Sequence, residues 1–311
     1  MGTHRSTTDR ADRADRALAA FEHLRGRLFG IAYRMLGNAA DAEDVVQETW
    51  LRWQQTDRDE VRDPGAFLAT TATRIAINVL QSARVRRAAY VGPWLPSPID
   101  TGNDPTLGAE RAEALELATL LLMERLTPAE RAAYVLRAAF DYPYGRIAEI
   151  LESSEAAARQ LVSRARKHLE SGTARTVSKD AHQRLFRAFL DAARGGDAAR
   201  LETLLAADAV SRTDGGGVVH RTARRPIAGR EKLIRFLCGV AQWFWDDVTI
   251  DPVIANGRDA ALLRRDGRAF AVLTIDAHDG VVTQILWMMN PDKLTRAEPG
   301  ASPPTRTLVR A

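Results

Sequence analysis

Three prolines within six residues, Pro93, Pro96 and Pro98, divide this 311-residue chain into two kinds of sequence. Proline fixes φ and removes a backbone donor, so Val91-Gly92-Pro93-Trp94-Leu95-Pro96-Ser97-Pro98 can form neither regular helix nor a central strand. The polar, turn-rich run from Asp100 to Pro105 continues the break. Residues 91–108 therefore read as an extended linker that marks a domain boundary.

The sequence before the linker is helical in period. Phe21, Leu24, Leu28, Ile31, Ala32 and Met35 recur at three- and four-residue steps, and Gly37 follows where a helix ends. Ala42, Val45, Val46, Thr49, Trp50 and Trp53 form a second apolar stripe. Asp63-Pro64 supplies an N-cap acceptor and a proline at the first helical position, which starts a third helix running to about Tyr90. Residues 1–17 alternate Arg and Asp without an apolar stripe and are expected to form a flexible tail. They lack the apolar core of a secretory signal.

Helix returns after the linker, from about Ala109. Thr127-Pro128-Ala129-Glu130 is a capping box with proline at N1. A short helix over 144–151, a turn at Glu152-Ser153-Ser154 and a helix over 155–170 follow. Past 180 the texture changes. Helices are expected over 181–193 and 198–205. Then Asn256-Gly257, Asp266-Gly267 and Asp279-Gly280 separate four β-rich runs, at 248–254, 260–265, 269–275 and 281–289. Residues 180–295 thus form an α+β unit with a curved antiparallel sheet packed on helices, and 296–311 form a loose, basic tail. The expected fold class is multi-domain: two all-α domains, 18–90 and 109–173, followed by this α+β domain.

Composition excludes several classes. The chain is 45% hydrophobic and 27% charged, the balance of a globular protein. No uncharged apolar run approaches the ~18 residues of a membrane span. A single cysteine, Cys238, rules out an internal disulfide framework or a Cys-cluster zinc site and fits a cytoplasmic setting. The net charge, 44 − 40 = +4, decides little by itself; its distribution is more informative.

Three helical faces carry candidate chemistry. On the second helix Asp44, Gln47, Glu48 and Leu51 project together opposite the apolar stripe, as a solvated face or a docking ridge. Residues 64–99 hold Arg74, Arg84, Arg86 and Arg87 and no acidic residue, with Asn78 and Gln81 near Arg84 and Arg87. Such a surface suits phosphate contacts with polar side chains left for bases, although a basic helix end also complements the macrodipole. On the 155–170 helix Arg159, Gln160, Ser163, Arg164 and Lys167 lie opposite Ala158, Leu161, Val162, Ala165 and Leu169. A basic, amide-bearing face after a tight turn suits a recognition helix in the major groove, and a plain antiparallel helix pair remains the alternative.

Taken in order, these segments resemble a known family. Asp41-Ala-Glu-Asp-Val-Val-Gln-Glu-Thr-Trp-Leu-Arg-Trp53 is similar to the polymerase-binding helix in region 2 of sigma-70 factors. Leu126-Thr-Pro-Ala-Glu-Arg131, Tyr144-Gly-Arg-Ile-Ala-Glu-Ile-Leu151 and Ala157-Ala-Arg-Gln-Leu-Val-Ser-Arg-Ala-Arg166 resemble the region 4 helix-turn-helix. Regions 1 and 3 are missing, as in the extracytoplasmic-function (ECF) group. The linker, together with Asp214-Gly-Gly-Gly217 and Asn290-Pro-Asp-Lys-Leu294, resembles the SigJ-like subgroup, which carries a SnoaL-like, cone-shaped C-terminal domain.

The resemblance implies roles. Asp44, Gln47, Glu48 and Leu51 would dock on the β′ clamp helices of core RNA polymerase, whose β flap is a further partner. Asn78, Gln81, Arg84 and Arg87 would melt and read the −10 element, and Arg159, Gln160, Ser163, Arg164 and Lys167 the −35 element. Apart from the resemblance, an exposed Pro-Trp-Leu-Pro segment would leave apolar surface without a partner and glycines let a backbone loop approach closely, so Trp94, Pro96, Asp214, Gly215, Gly216 and Gly217 are expected to form a regulatory contact between the linker and the C-terminal domain. Val218 stands where relatives carry Lys or Arg after the glycines, with Arg221, Arg224 and Arg225 nearby. No metal, cofactor or catalytic residue is implied for the sigma function. SnoaL-like domains can hold a small ligand or act as enzymes, and Asp214, His220, Asp251, Asp276 and His278 are the polar groups available for acid–base work. Two other readings fit: a SnoaL-type enzyme fused to a DNA-binding helical module, and a ligand-sensing repressor.

Overall fold

The structure, a computed structural model, describes residues 3–102, 115–170, 177–220 and 222–297. It divides into two compact units: the residues up to Arg84 with Leu126–Ala165, and Val85–Arg125 with the residues from Arg166 onward. Among the described residues no helix is long and apolar enough to cross a membrane.

The first unit is helical. α1 (Thr3–Leu36) and α2 (Ala39–Gln55) form a hairpin around Gly37, whose φ of 66° is the left-handed value that glycine tolerates. Asn38 caps α2, its side chain accepting from the amides of Ala40 and Asp41. The two apolar stripes meet: Phe21 packs 4.9 Å from Trp50, and the Trp53 indole donates to the Ala17 carbonyl at 3.2 Å. α3 (Pro64–Ala88) adds Phe67, 5.6 Å from Trp53, and a buried row from Leu68 to Ala83. The expected tail is corrected here. α1 begins at Thr3. Ala-Asp-Arg repeats place opposite charges four residues apart, Asp9 with Arg13 and Asp12 with Arg16, and contain only helix-compatible residues, so helix propagates outward from the packed segment.

α5 (Pro128–Ala138) starts with both bonds of the predicted capping box. Its Arg131 is buried and donates to the Arg34 carbonyl at the end of α1 (3.1 Å). α6 (Tyr144–Ile150) and α7 (Glu155–Glu170) are joined by the expected turn, in which Glu152 takes a φ of 51° and Ser153 donates to the Ala148 carbonyl.

The second unit is built on a six-stranded sheet of order β2-β1-β6-β5-β4-β3. Its strands are β1 (Leu205–Asp214), β2 (Ile227–Ala228), β3 (Val248–Ala255), β4 (Arg258–Arg265), β5 (Arg268–His278) and β6 (Val281–Met288). β1 runs parallel to β6 and every other pair is antiparallel. In all three predicted hairpin turns both residues have positive φ, from 51° to 81°, the type I′ pattern whose twist matches the strands.

Both faces of this sheet are buried. One face, including Ala261, Leu263, Leu273, Ile285 and Trp287, packs on α8 (Lys179–Gly195), α9 (Ala198–Leu204) and α10 (Arg230–Phe244). The other, with Leu262, Val272, Leu286 and Met288, is covered by Leu95 of the linker, Leu117 of α4 (Leu117–Met123), Leu294 of α11 (Pro291–Leu294) and Ala297. The runs Ala260-Ala-Leu-Leu263 and Ile285-Leu-Trp-Met288 lack alternation because neither of their faces meets water.

The linker is thus part of the C-terminal core. Leu95 through Ile99 are all buried. Pro96 and Pro98 have no amide to satisfy, so they suit a buried extended segment. Buried Asn256, at the β3–β4 turn, secures the far end: its Oδ1 accepts from the Ile99 amide and its Nδ2 donates to the Leu115 carbonyl, both at 3.0 Å. The predicted helix from Ala109 lies partly outside the described residues, and its described part, α4, belongs to the second unit. Of the predicted C-terminal tail, Ala297 is buried and the Arg296 carbonyl accepts from the Asp100 amide; 298–311 lie outside the described residues.

Replacing Asn256 with Ala leaves one amide and one carbonyl unanswered. At about 1–3 kcal/mol for each stranded group, the second unit should lose roughly 2–6 kcal/mol. Chemical denaturation followed by tryptophan fluorescence checks this; a loss below about 0.5 kcal/mol, the level of a neutral surface change, would show that the turn does not hold the linker.

Candidate nucleic-acid and polymerase interface with a linker clamp

On α2, residues 44, 47, 48 and 51 share one face by helical spacing. Asp44, Gln47 and Leu51 are exposed, Leu51 to 45%, while Glu48 is half-buried and pairs with Arg52 at 2.9 Å. An exposed pair of this kind contributes little to stability, so the ridge is free to exchange it for a partner.

On α3, Arg74, Asn78 and Gln81 are exposed and share a face by the same spacing. Arg74 is engaged within the first unit: its guanidinium donates to the Ile150 and Glu149 carbonyls (3.0 and 3.2 Å) and pairs with Glu152 at 3.0 Å. It closes the C-terminal end of α6, where unpaired carbonyls favour a cation. The Arg84 side chain lies outside the described residues. Arg87 belongs to the second unit, where its guanidinium lies 3.7 Å from the Trp94 ring centroid and pairs with Glu124.

On α7, Arg159, Gln160, Ser163, Arg164 and Lys167 are all exposed, and Ala158, Val162, Ala165 and Leu169 are buried opposite them. Ser154 starts the helix by accepting from the Ala157 amide at 3.1 Å. Arg159 pairs with Glu155, and Arg164 lies 3.7 Å from Glu130.

A densely hydrogen-bonded polar cluster lies inside the second unit. The Asp214 side chain has no exposed surface, and both of its oxygens are used. Oδ1 accepts from the Tyr90 hydroxyl (2.6 Å) and the Gly216 amide (3.1 Å). Oδ2 accepts from the Leu95 amide (2.9 Å) and the Lys293 ammonium (2.7 Å). Lys293 also donates to the Leu95 carbonyl at 2.7 Å and lies over the rings of Trp94 and Tyr90, 4.3 and 5.0 Å from their centroids. Asn290 donates to the Tyr90 hydroxyl at 2.9 Å. Asp214 and Lys293, the buried charges of the two short motifs, thus hold the N–H and the C=O of one linker residue, Leu95. Trp94 is half-buried and Pro96 is buried beside it.

The glycines permit this approach. A Cβ on Gly216 would stand 2.6 Å from Asn290, and one on Gly217 3.0 Å from Val91. One on Gly215 would stand 2.8 Å from Thr222. Gly216 and Gly217 also have φ of 64° and 76°. Burial, then the Asp214 carboxylate, hold the Tyr90 phenol well above its ordinary value of 10.0.

The remaining candidate acid–base groups are scattered. His220 is exposed, Asp251 pairs with Arg264 at 2.7 Å, and Asp276 lies 3.4 Å from His278 near a hairpin turn. Among the described residues no group of three or more His, Cys, Asp or Glu could hold a metal ion. Sequence reasoning missed Asn256, Tyr90 and Glu124, whose roles depend on long-range placement.

Two acidic or basic helical faces, a helix-turn-helix and a C-terminal domain that grips the chain between them define a promoter-directing subunit. The chain belongs to the ECF sigma factors of RNA polymerase. It matches the sigma-70 region 2 family over residues 20–86 and the sigma-70 region 4 family over residues 116–169. It is 38% identical to the ECF RNA polymerase sigma factor SigJ of Mycobacterium tuberculosis H37Rv, over 89% of this chain and 93% of that one. It is 35% identical to the probable ECF sigma factor SigI of the same strain, over 61% of this chain and 66% of that one. The crystal structure of M. tuberculosis SigJ superposes with a TM-score of 0.71 at 35% identity, covering 89% of this chain and 98% of that one.

Two outcomes follow for the clamp. Asp214→Asn or Lys293→Met alone leaves a buried charge unpaired and should cost about 3–5 kcal/mol, with part recovered in the double variant. Equal and additive losses in a double-mutant cycle would contradict a direct pair. Because the folded-state value of Tyr90 is raised, its contribution is complete below pH 10 and is lost as pH rises through the folded value. Alkaline unfolding should therefore be shallower in Tyr90→Phe than in the parent; identical profiles would contradict it.

Proposed function

We propose that this ECF sigma factor docks on core polymerase through Asp44, Gln47, Glu48 and Leu51, with the β′ clamp helices as the receiving surface and the β flap as a second contact for region 4. In this reading Asn78, Gln81, Arg84 and Arg87 serve the −10 element and Arg159, Gln160, Ser163, Arg164 and Lys167 the −35 element. The supporting observation is that every one of these side chains with a described environment, apart from Glu48 and Arg87, is exposed on a helix whose opposite face is buried.

The energetics require the polymerase. A base contact is worth roughly 1–3 kcal/mol, and melting costs a few kcal/mol per flipped base. Holding both domains on one DNA at once raises the effective concentration of the second contact. The chain itself performs no chemistry and works in the cytoplasm, where its polymerase is.

The C-terminal domain sets how far regions 2 and 4 can separate. The roughly 39 residues from the end of α3 to Thr127 could span about 130 Å if loose. Anchored at Tyr90, Leu95, Ile99 and Leu115, they cannot. Release of Arg87 from Trp94 and Glu124 would then accompany its use on DNA. A small ligand could bias the same equilibrium only by binding the two arrangements differently. Ser211 Oγ and the indole N–H groups of Trp245 and Trp287 are buried without a hydrogen-bond partner among the described residues, and such a ligand could answer them.

Asp44→Lys with Glu48→Lys should abolish run-off transcription with core polymerase while leaving the fold intact; transcription at the parent level would refute the docking face. Trp94→Ala should change promoter output severalfold while polymerase binding persists, and unchanged output would refute linker control.

A further inference from the structure

We infer that the loop between β1 and β2 is a DNA-phosphate contact, delivered by the C-terminal domain beside the end of the −10-reading helix. Between Asp214 and Glu231 the sequence contains no acidic residue and carries His220, Arg221, Arg224, Arg225 and Arg230. Arg230 is used inside the fold, donating to the Glu202 carbonyl at 3.3 Å. Arg224 and Arg225 are exposed.

The loop is fixed at its base. Gly215 lies against Thr222 and Gly216 against Asn290, too close for any side chain. The amides of Val218 and Val219 both donate to the Gly215 carbonyl, at 3.2 and 3.1 Å, and the Thr222 hydroxyl donates to the Val219 carbonyl at 3.1 Å. A basic tip on a rigid root loses little conformational entropy on binding a polyanion.

Its position selects the partner. A Cβ on Gly92 would stand 3.9 Å from both Cα and the carbonyl oxygen of Arg224. Gly92 follows Ala88, the last residue of α3, by four positions. The arginines therefore lie where the chain leaves that helix, and guanidinium groups suit phosphate oxygens through paired donors. A cationic tip here complements DNA, whereas the proposed polymerase-facing ridge of α2 is acidic. Val218 is 62% exposed and uncharged, so the cationic character of the loop rests on the exposed arginines further along it. The inference rests on the assignment of α3 to promoter DNA and adds a contact outside regions 2 and 4.

The test uses the full chain bound to core polymerase and a labelled mixed-sequence DNA duplex, with affinity read by anisotropy across a salt series. Each phosphate contact contributes about 0.9 to the slope of log affinity against log salt. Arg224→Gln with Arg225→Gln should lower the excess slope of holoenzyme over core by about 2, with roughly tenfold weaker binding at low salt. Arg224→Lys with Arg225→Lys should retain it. An unchanged slope in the Gln pair overturns the proposal, as does a loss of core binding with the DNA slope intact, which would turn the loop toward polymerase. If the parent holoenzyme shows no excess slope over core, the DNA assignment of α3 and α7 falls as well.

Discussion

A carboxylate and an ammonium with almost no access to water hold the backbone N–H and C=O of one residue, Leu95, in a proline-rich strap. Burying such ions is costly, and only a nearly complete set of hydrogen bonds makes it tolerable. Asp214 meets that condition with four donors, and Lys293 with two oxygens and two aromatic rings. Because Tyr90, Trp94 and Leu95 supply many of these partners, the cage cannot be satisfied by the sheet domain alone. The C-terminal domain therefore needs the segment between regions 2 and 4 as part of its own core, which ties its integrity to the path of the transcription-factor chain.

The same logic explains the second buried face of the sheet. Leu95, Leu117, Leu294 and Ala297 cover apolar side chains that would otherwise face water. Each fully buried leucine contributes roughly 1.5–3 kcal/mol, comparable with one good polar contact in the cage. Apolar cover and the ion cage act on neighbouring residues of one strap, so weakening either loosens both. Arg87 extends the coupling to the end of α3, because the ring that receives Lys293 also receives its guanidinium.

Much of this architecture was legible where the signal is local. Asn-Gly and Asp-Gly pairs announced type I′ turns because both residues tolerate the left-handed region, and Thr127-Pro-Ala-Glu130 announced a helix start because its bonds span three residues. The stripes of α2 and α7 predicted which faces are buried. The strap was not legible as core: prolines read as loop, and nothing local says that their missing amides suit burial. β1 escaped notice because Leu205-Ala-Ala-Asp-Ala-Val has weak strand propensity and pairs in parallel with β6, far along the chain. Asn256 looked like a turn residue and is one, but its side chain also holds Ile99, a contact across 157 residues. Asp214 and Lys293 were visible as motif positions, whereas their pairing needed three dimensions.

The strap is folded with the C-terminal domain rather than laid across it. Amide hydrogen exchange at Leu95 and Ile99 in the full chain tests this most directly. Protection equal to that of the β4–β5 amides, lost together with them when Asp214 is changed to Asn, is the predicted result. Exchange at the rate of an unstructured peptide, with the sheet still protected, would contradict it.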